Sequence, residues 1–533
     1  MSTAKARDRS WWGWGFVDEA LGDEELEAVA DVLARRFPTG PAPVLASVPE
    51  VTGLDLPPVT IVPPASLRDL CSEAPGDRAA HTYGKSFRDV VRALAGDVAA
   101  APDLVVRPRA EQDVADVLEW CAGAGIAVVP YGGGSSVVGG VEGGAARGQF
   151  AGVVSLDLQL LAGVVEVDRT SRAARVRAGT FGPDLEDALR PHRLTLRHFP
   201  QSFEHSTLGG WVATRAGGHF ATNYTHIDDF VESLRTVTPA GVLESRRLPG
   251  SGAGPAPDRL VLGSEGILGV VTEAWVRLQD RPVHRATAAV RFPSFAAGAE
   301  AARSVVQAGL FPANCRLLDP EEAAGFGGEG SALLLLGFES AMFPVDGLCR
   351  SALERCLDHG GAAPQGIRSS STEGAPGAWR SSFFRAPYLR DGVARLGWIA
   401  ETFETAVTWE RFPMLHAAVS DAVHAAVGPG GGSLTCRFTH VYPDGPAPYF
   451  TVLAPSERGR QLGHWQEIKD AASEAILSSG GTITHHHAVG RDHRPWYDRQ
   501  RPDLFAEALA ATKARLDPSG VLNPGVLVDP AGA

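Results

Sequence analysis

Three adjacent histidines, His485, His486 and His487, stand in the run GGTITHHHAVG, residues 480–490. Imidazole changes charge near neutral pH, and either ring nitrogen can carry a proton or bind a metal. The run therefore admits acid/base or substrate-binding chemistry, a metal centre, or a structural turn. Adjacent residues do not share one helix face, and in a strand the outer two would lie on one side. No cysteine or acidic ligand pattern accompanies them, so no metal is expected. The second chemical signal is glycine next to hydroxyls. In VVPYGGGSSVVGG, residues 128–140, an apolar run ends at Pro130 and Tyr131, then come Gly132, Gly133, Gly134, Ser135 and Ser136. Glycine permits positive φ and close approach, and successive N–H groups in such a turn form an anion-binding concavity. The same composition also makes an ordinary tight turn. It matches neither the P-loop, since no Lys-Ser/Thr follows, nor G-x-G-x-x-G opening a helix.

Two further clusters follow. Ser206, Thr207, Gly209, Gly210 and Thr214 surround Trp211, and Glu265, Gly266, Gly269 and Val270 close the stretch GSEGILGV. Hydroxyls and glycines at a helix start can offer N–H groups to an anion, or can serve close helix packing. Three such clusters in succession point to a long, extended nucleotide site.

Stepping outward to the supporting elements, Leu104 to Val106 has the character of a strand. Glu111 to Ala124 carries Val114, Val117, Leu118 and Cys121 at helical spacing, stopped by Gly125. Ile126 to Val129 is the next strand and delivers the chain into the glycine loop. This rhythm predicts mixed α/β structure. Strands are expected at 153–158, 164–167, 175–178 and 270–278, and Pro183 is placed to open a helix. Beyond residue 280 a separate domain is expected, with strands at 290–292, 332–337 and 449–453 and helices at 299–308 and 467–478. Residues 361–377 and 428–432 are loop-like. Toward the N-terminus, Asp23 to Arg36 has helical periodicity, residues 41–64 are proline-rich, and the aromatic patch Trp11 to Phe16 suits docking on a larger body.

Whole-chain properties narrow the class. With 533 residues, 44% hydrophobic and 21% charged, the chain has the composition of an ordinary globular protein of several domains. A net charge of −13 argues against broad nucleic-acid binding. No apolar run reaches the ~18 residues of a membrane span, the first residues lack a secretory signal, and the last are not S-K-L. The six cysteines lack C-x-x-C spacing, which suits a reducing cytoplasm.

PYGGGSSVVGG, STLGGWVATRAGG and GSEGILGVVTEA, in this order and spacing, resemble the FAD-binding domain of the vanillyl-alcohol oxidase/p-cresol methylhydroxylase superfamily. GGTITHHHAVG followed by PWYDRQ is similar to the histidine segment of the alkyldihydroxyacetonephosphate synthase family. Further agreement lies in Trp14-Gly15-Phe16, Cys315 to Asp319, Tyr388 to Asp391, Glu401 to Thr405 and Thr435 to Arg437. The resemblance implies an α+β fold: a two-subdomain FAD-binding domain and an α+β cap with an antiparallel sheet. Residues 1–96 would pack on the FAD-binding domain at 97–280, residues 281–480 would form the cap, and residues 481–533 would return to the FAD-binding domain.

The same resemblance implies exchange of the acyl group of acyl-dihydroxyacetone phosphate for a fatty alcohol, through an adduct at flavin N5 and without net redox change. Arg390 matches the arginine holding the substrate phosphate, Arg316 a second active-site arginine, and Tyr449 a proton-transfer tyrosine. His486, flanked by His485 and His487, matches the histidine that moves the C1 proton. The three glycine–hydroxyl clusters, from Pro130 to Val270, would hold the cofactor. No histidine lies between Val128 and Gly140, so FAD is expected to be non-covalent. A cytoplasmic protein is expected, making transient contact with membrane to reach a lipid substrate and forming a homodimer. The stretch between Asp319 and Leu333 is short where eukaryotic members carry an insertion, so their hydrophobic alcohol tunnel and lid are not expected intact. The tail LDPSGVLNPG is similar to that of FAD-linked 2-hydroxy-acid dehydrogenases, which makes an FAD-linked oxidase or dehydrogenase the alternative. A non-catalytic flavin-binding protein is the second alternative.

Overall fold

The computed structural model describes residues 8–326, 328, 330–369 and 374–529; side chains at 374–382 are not described. Three sheets carry the architecture. In the first, Cys71–Ser72, Leu104–Val106, Val153–Asp157 and Ala127–Tyr131 lie in that spatial order, with the last three strands parallel. Strands buried on both faces need continuous apolar runs, and Leu104, Val105, Val106, Val128 and Val154 are fully buried. The crossover helix Glu111–Ala124 covers this sheet with Val114, Val117, Leu118 and Cys121, and ends on Gly125 in the left-handed conformation (φ 64°).

The second sheet is antiparallel, in the order Val164–Asp168, Ala173–Arg177, Val270–Arg277, Val231–Thr238, Gly241–Glu244. Helices Gly182–Leu189 and Leu208–Thr214 pack on it through Leu185, Leu189, Leu208, Trp211 and Val212. The third sheet is antiparallel and six-stranded: His284–Phe292, Ala332–Ser340, Asn314–Leu318, Ser433–Val441, Pro446–Ala454, Ile399–Glu404. Its apolar face and the helices Phe295–Gln307, Asp346–Asp358, Phe412–Val427 and Gln461–Ser478 make the largest core. The fold is therefore α+β, with one smaller body of two sheets beside one larger antiparallel sheet.

Several expectations change in the structure. Residues 1–96 do not pack on the body at 97–280 alone. Cys71–Ser72 is a strand of its first sheet, whereas the Asp23–Arg36 helix puts Leu33 against Val393, Leu396 and Trp398. The aromatic patch docks where the two bodies meet: Trp14 lies edge-on to His205 and donates its N–H to Asp391 at 2.5 Å. Residues 361–377 were expected to be loop, but the helix Gly374–Arg395 begins inside them, and residues 370–373 lie outside the described residues. The histidine segment is neither helix nor strand: His485 to His487 form a bend, for a reason given below. The chain end returns to the first sheet, where Leu522 bridges Val128 in parallel. Among the described residues no helix is long and apolar enough to cross a membrane.

Candidate active site

The strand Ala127–Tyr131 ends in the glycine loop, and the geometry there shows why glycine is needed. A Cβ on Gly133 would stand 1.8 Å from the His205 carbonyl oxygen, and one on Gly132 2.3 Å from Thr207 Oγ1. Gly134 is left-handed (φ 69°) over the Tyr131 ring. The loop's carbonyls are held by the protein: Gln159 donates to Gly132 O, Arg9 to Gly133 O, and the Lys85 amide to Ser136 O. Among the described residues, none of the N–H groups of Gly132 to Val137 donates to a protein acceptor. A row of unspent amides with anchored carbonyls is a cradle for a diphosphate.

The second cluster behaves differently. The amides of Leu208 and Gly209 donate to Thr180 O and Ala178 O, and that of Gly210 to Thr207 Oγ1. The helix start thus has no N–H to offer an anion, against the expectation. Gly209 serves packing instead: its Cβ would lie 2.7 Å from the Ala178 Cβ. Gly269 and Val270 likewise belong to the sheet, Gly269 against Thr236 and Val270 paired with Val237. Tyr131 lies behind the loop, its ring tilted against that of His81 at 4.2 Å. The remaining cluster residues (Pro130, Gly132 to Ser136, Ser206, Thr207, Gly210, Thr214, Glu265 and Gly266) line one cleft. Glu265 closes it against the histidine segment by accepting the N–H groups of Val489 and Gly490 at 2.9 and 2.8 Å. Burial raises its carboxyl to about 7 despite those bonds.

The histidine segment is bent because it wraps a carboxylate. Glu404, at the end of the strand Ile399–Glu404, is buried and takes four donors. Thr484 Oγ1 (2.6 Å), His486 N (3.1 Å) and His487 N (2.9 Å) reach Oε1, and His485 N (2.5 Å) reaches Oε2. Three consecutive amides can converge on one group only in a turn, so a strand is impossible here. Burial disfavours the Glu404 charge, but His486, His487, His485 and the Thr484 hydroxyl outweigh it and hold the carboxyl well below its usual range. The rings are the reverse case. Burial lowers His486 to about 3 and His487 to about 4, with Glu404 opposing, and pushes His485 well down. Neutral imidazoles against a fixed anion are bases whose cations are balanced locally.

His486 and His487 line the cleft, and His485 lies behind them. Tyr449 stands opposite, its ring 6.2 Å from His486 and nearly parallel to it. The Arg437 guanidinium lies over the Tyr449 ring at 4.1 Å and is itself held by Glu322 at 2.8 Å. Burial raises the Tyr449 phenol and Arg437 opposes that shift. Arg316 also lines the cleft, with Nη2 bonded to the His219 carbonyl at 2.9 Å, and burial lowers it to about 9. Arg390 lies elsewhere. It is paired with Asp391 at 3.0 Å and lines a second cavity of about 640 Å³. That cavity is apolar, walled by Val29, Val32 and Leu33, by Phe383, Leu389 and Val393, and by Val452 and Leu453. It meets the cleft at Arg437, Tyr449 and His487, which line both. An apolar cavity therefore adjoins the cleft although the 319–333 stretch is short; the Asp23–Arg36 helix, the 383–393 segment and the strand Pro446–Ala454 contribute to its wall.

The sequence reading passed over Glu404 and Arg437 as site residues. Both stood in quoted motifs, yet no spacing rule places a strand-end carboxylate under a distant turn. His440, His485 and His486 offer nitrogens within 4.8 Å of one another, compatible with a metal. Those nitrogens are in use, however. His440 Nε2 is bonded to Gly218 O, and His485 bonds His486 through Nδ1 and Tyr442 through Nε2.

Comparison with known proteins agrees with this arrangement. Residues 102–245 match the FAD binding domain family, and residues 281–527 match the C-terminal domain of FAD linked oxidases. Alkyldihydroxyacetonephosphate synthase of Dictyostelium discoideum is 31% identical over 85% of this chain and 77% of its own. A solved structure of an alkyldihydroxyacetonephosphate synthase superimposes with a TM-score of 0.78 at 25% identity, covering 97% of this chain and 98% of the other. p-Cresol methylhydroxylase, at 14% identity, covers 87% of this chain and 94% of its own with a TM-score of 0.67, a likeness of fold. Fold, cofactor cradle and full-length similarity agree, and the chain belongs to the alkyldihydroxyacetonephosphate synthase family.

Proposed function

We propose that this protein is an FAD-dependent alkyl-dihydroxyacetone-phosphate synthase: it takes acyl-dihydroxyacetone phosphate and a fatty alcohol and yields the alkyl ether and a fatty acid. The observation that carries the proposal is the junction at Tyr449, Arg437 and His487, which line both the cleft holding the histidines, Arg316 and the glycine loop and an adjoining, mostly apolar cavity of about 640 Å³. A phosphate-bearing head and a long hydrocarbon chain need those two environments side by side.

The amides of Gly132 to Val137 would hold the FAD diphosphate without a covalent link. When bound, FAD supplies the redox-poised ring system with which the dihydroxyacetone unit reacts, without net oxidation. The chain's own groups do the rest. His486, its backbone fixed by Glu404, takes the C1 proton at its ring nitrogen, and the buried carboxylate 3.6 Å from Nδ1 balances the charge that forms. Tyr449, held between Arg437 and His486, gives a proton to the departing carboxylate. Arg316 and Arg437 offer cations to the phosphate inside the cleft. Arg390 serves from the apolar side, where its planar fork suits an oxyanion. The exposed apolar side chains Val32 and Leu389 beside the second cavity give a lipid substrate a way in from a membrane surface, for a protein working in the cytoplasm.

The test is product formation by purified holoprotein from palmitoyl-dihydroxyacetone phosphate and labelled hexadecanol, with D-lactate plus an electron acceptor in parallel. Ether product that disappears in His486→Ala and Tyr449→Phe, both still yellow, supports the proposal. Oxidation of the hydroxy acid with no ether formed overturns it.

A further inference from the structure

A continuous set of hydrogen bonds leaves the cleft from the back of His486. His486 Nδ1 is 3.0 Å from His485 Nδ1. His485 Nε2 is 2.7 Å from the Tyr442 hydroxyl, which is 3.1 Å from Thr225 Oγ1. Thr225 Oγ1 is 3.3 Å from His226 Nδ1, and His226 Nε2 returns to the His485 carbonyl at 3.0 Å. One assignment of protons satisfies every link. His486 donates from Nδ1, His485 accepts at Nδ1 and donates from Nε2, Tyr442 donates to Thr225, Thr225 donates to His226, and His226 donates from Nε2 to the carbonyl. The last bond fixes the His226 tautomer, because a carbonyl can only accept. His486, Tyr442 and His226 are all half-buried, and the far end of the set lies beside the exposed Asn223, Tyr224 and Pro443, which solvent reaches.

We propose that His485, Tyr442, Thr225 and His226 form a proton relay that carries the proton taken by His486 out to solvent and back. The proposal rests on the role given to His486 above. In the outward direction His486 gains the substrate proton on its cleft-facing nitrogen and releases the one on Nδ1 to His485. His485 passes its Nε2 proton to Tyr442, Tyr442 passes its hydroxyl proton to Thr225, and Thr225 gives its own to His226 Nδ1. Each group ends with the proton count it began with, except His226, which becomes a cation and hands a proton to water from Nε2 when that nitrogen opens its bond to the His485 carbonyl. The reverse shift returns a solvent proton to the substrate.

The local environment fits this use. Burial holds His486 and His485 low, so a proton left on either is disfavoured, whereas burial pushes Tyr442 up and keeps its hydroxyl a donor. His440 is outside the set, with Nε2 spent on the Gly218 carbonyl. Neighbouring side chains do not compete for the central hydroxyl: Trp409 bonds the Tyr442 backbone carbonyl instead. Tyr442 and Thr225 touch neither the cleft nor its histidines' substrate-facing edges, so they act through His485 and His486.

The test uses holoenzyme and palmitoyl-dihydroxyacetone phosphate deuterated at C1, reading deuterium lost to water per turnover by mass spectrometry. Tyr442→Phe keeps the ring and cuts the chain at one atom; Thr225→Val cuts it one step further out. The relay predicts that washout per turnover falls about ten-fold or more in both variants. It also predicts that the solvent isotope effect changes from a curved, several-proton dependence on deuterium fraction to a linear one, while FAD absorbance and KM stay as in the parent. Unchanged washout and an unchanged isotope dependence in a variant that retains FAD overturn the relay. Absence of ether synthesis by the parent enzyme overturns the role of His486 itself, a separate and distinguishable failure.

Discussion

Glu404→Gln is the substitution that the geometry of the histidine turn makes most informative. The carboxylate accepts four hydrogen bonds, one hydroxyl and two amides at Oε1 and the His485 amide at Oε2. Glutamine can keep its oxygen at the Oε1 position, but its NH2 then faces the His485 N–H, donor against donor. Losing one charge-assisted bond and leaving a buried donor unpaired costs about 2–4 kcal/mol of stability. The charge matters separately for chemistry. An anion 3.6 Å from His486 Nδ1 stabilises an imidazolium there by about 4 kcal/mol at an effective dielectric of ~20. That energy corresponds to about a thousand-fold in rate if it is lost only when the proton is on His486. The assay is kcat for ether formation alongside bound FAD per chain and thermal unfolding. The expectation is a fall in kcat of about a thousand-fold with FAD retained, since the diphosphate cradle is built elsewhere. A kcat within ten-fold of the parent would refute the electrostatic role. Acid unfolding gives the sign independently. Glu404 is held well below its unfolded value of about 4.3, so its contribution is full above that value and is lost as pH falls toward the folded one. The glutamine variant should lose that part of the acid limb and sit closer to the parent at low pH.

Three other outcomes follow from the same coordinates. Gly133→Ala should lose FAD, because its Cβ would be driven into the His205 carbonyl at 1.8 Å; full flavin loading would contradict the cradle. Val29→Trp, on the wall of the apolar cavity, should shift preference from hexadecanol to shorter alcohols with the flavin spectrum unchanged, and an unaltered chain-length profile would remove that cavity from the alcohol path. Arg390→Lys, which forfeits the planar fork on the apolar side, should raise KM for the acyl substrate with FAD retained, and an unchanged KM would exclude Arg390 from substrate binding.

Much of the local structure was legible because local patterns encode it. Glu111 to Ala124 has a clean apolar stripe and a glycine stop, and it is a helix over those residues. The first glycine loop was legible from its composition, since three glycines directly after a buried strand mark a turn that needs positive φ or close approach. The second cluster was ambiguous in principle. Ser206 to Gly210 reads equally as an anion site or a packing contact, and only the positions of Ala178 and Thr180, distant in sequence, decide for packing. The histidine run shows the same limit from the other side. Its residue types announced chemistry, but its conformation is dictated by Glu404 on a strand of another sheet, which no periodicity reveals. The apolar cavity was hidden because its wall comes from segments far apart in the sequence, among them the N-terminal helix, the 383–393 segment and the strand Pro446–Ala454. The pairing of Arg390 with Asp391 was visible in adjacency alone, yet its place on the apolar side was not.

The parallel bridge between Val128 and Leu522 has a bearing on biogenesis. Val128 donates its amide to Val521 O and accepts from the Asn523 amide, while the Asn523 side chain reaches Gly140 O and Glu265 O. The strand that feeds the glycine loop is thus flanked on one side by residues translated hundreds of positions later. During synthesis the FAD-binding region emerges early but keeps an open sheet edge and an unbraced loop until the tail arrives. Unpaired edges are sites of mispairing between nascent chains. Flavin capture should accordingly be a late event, and C-terminal fusions that hinder this tail should yield colourless, aggregation-prone protein even though every residue of the cradle is intact.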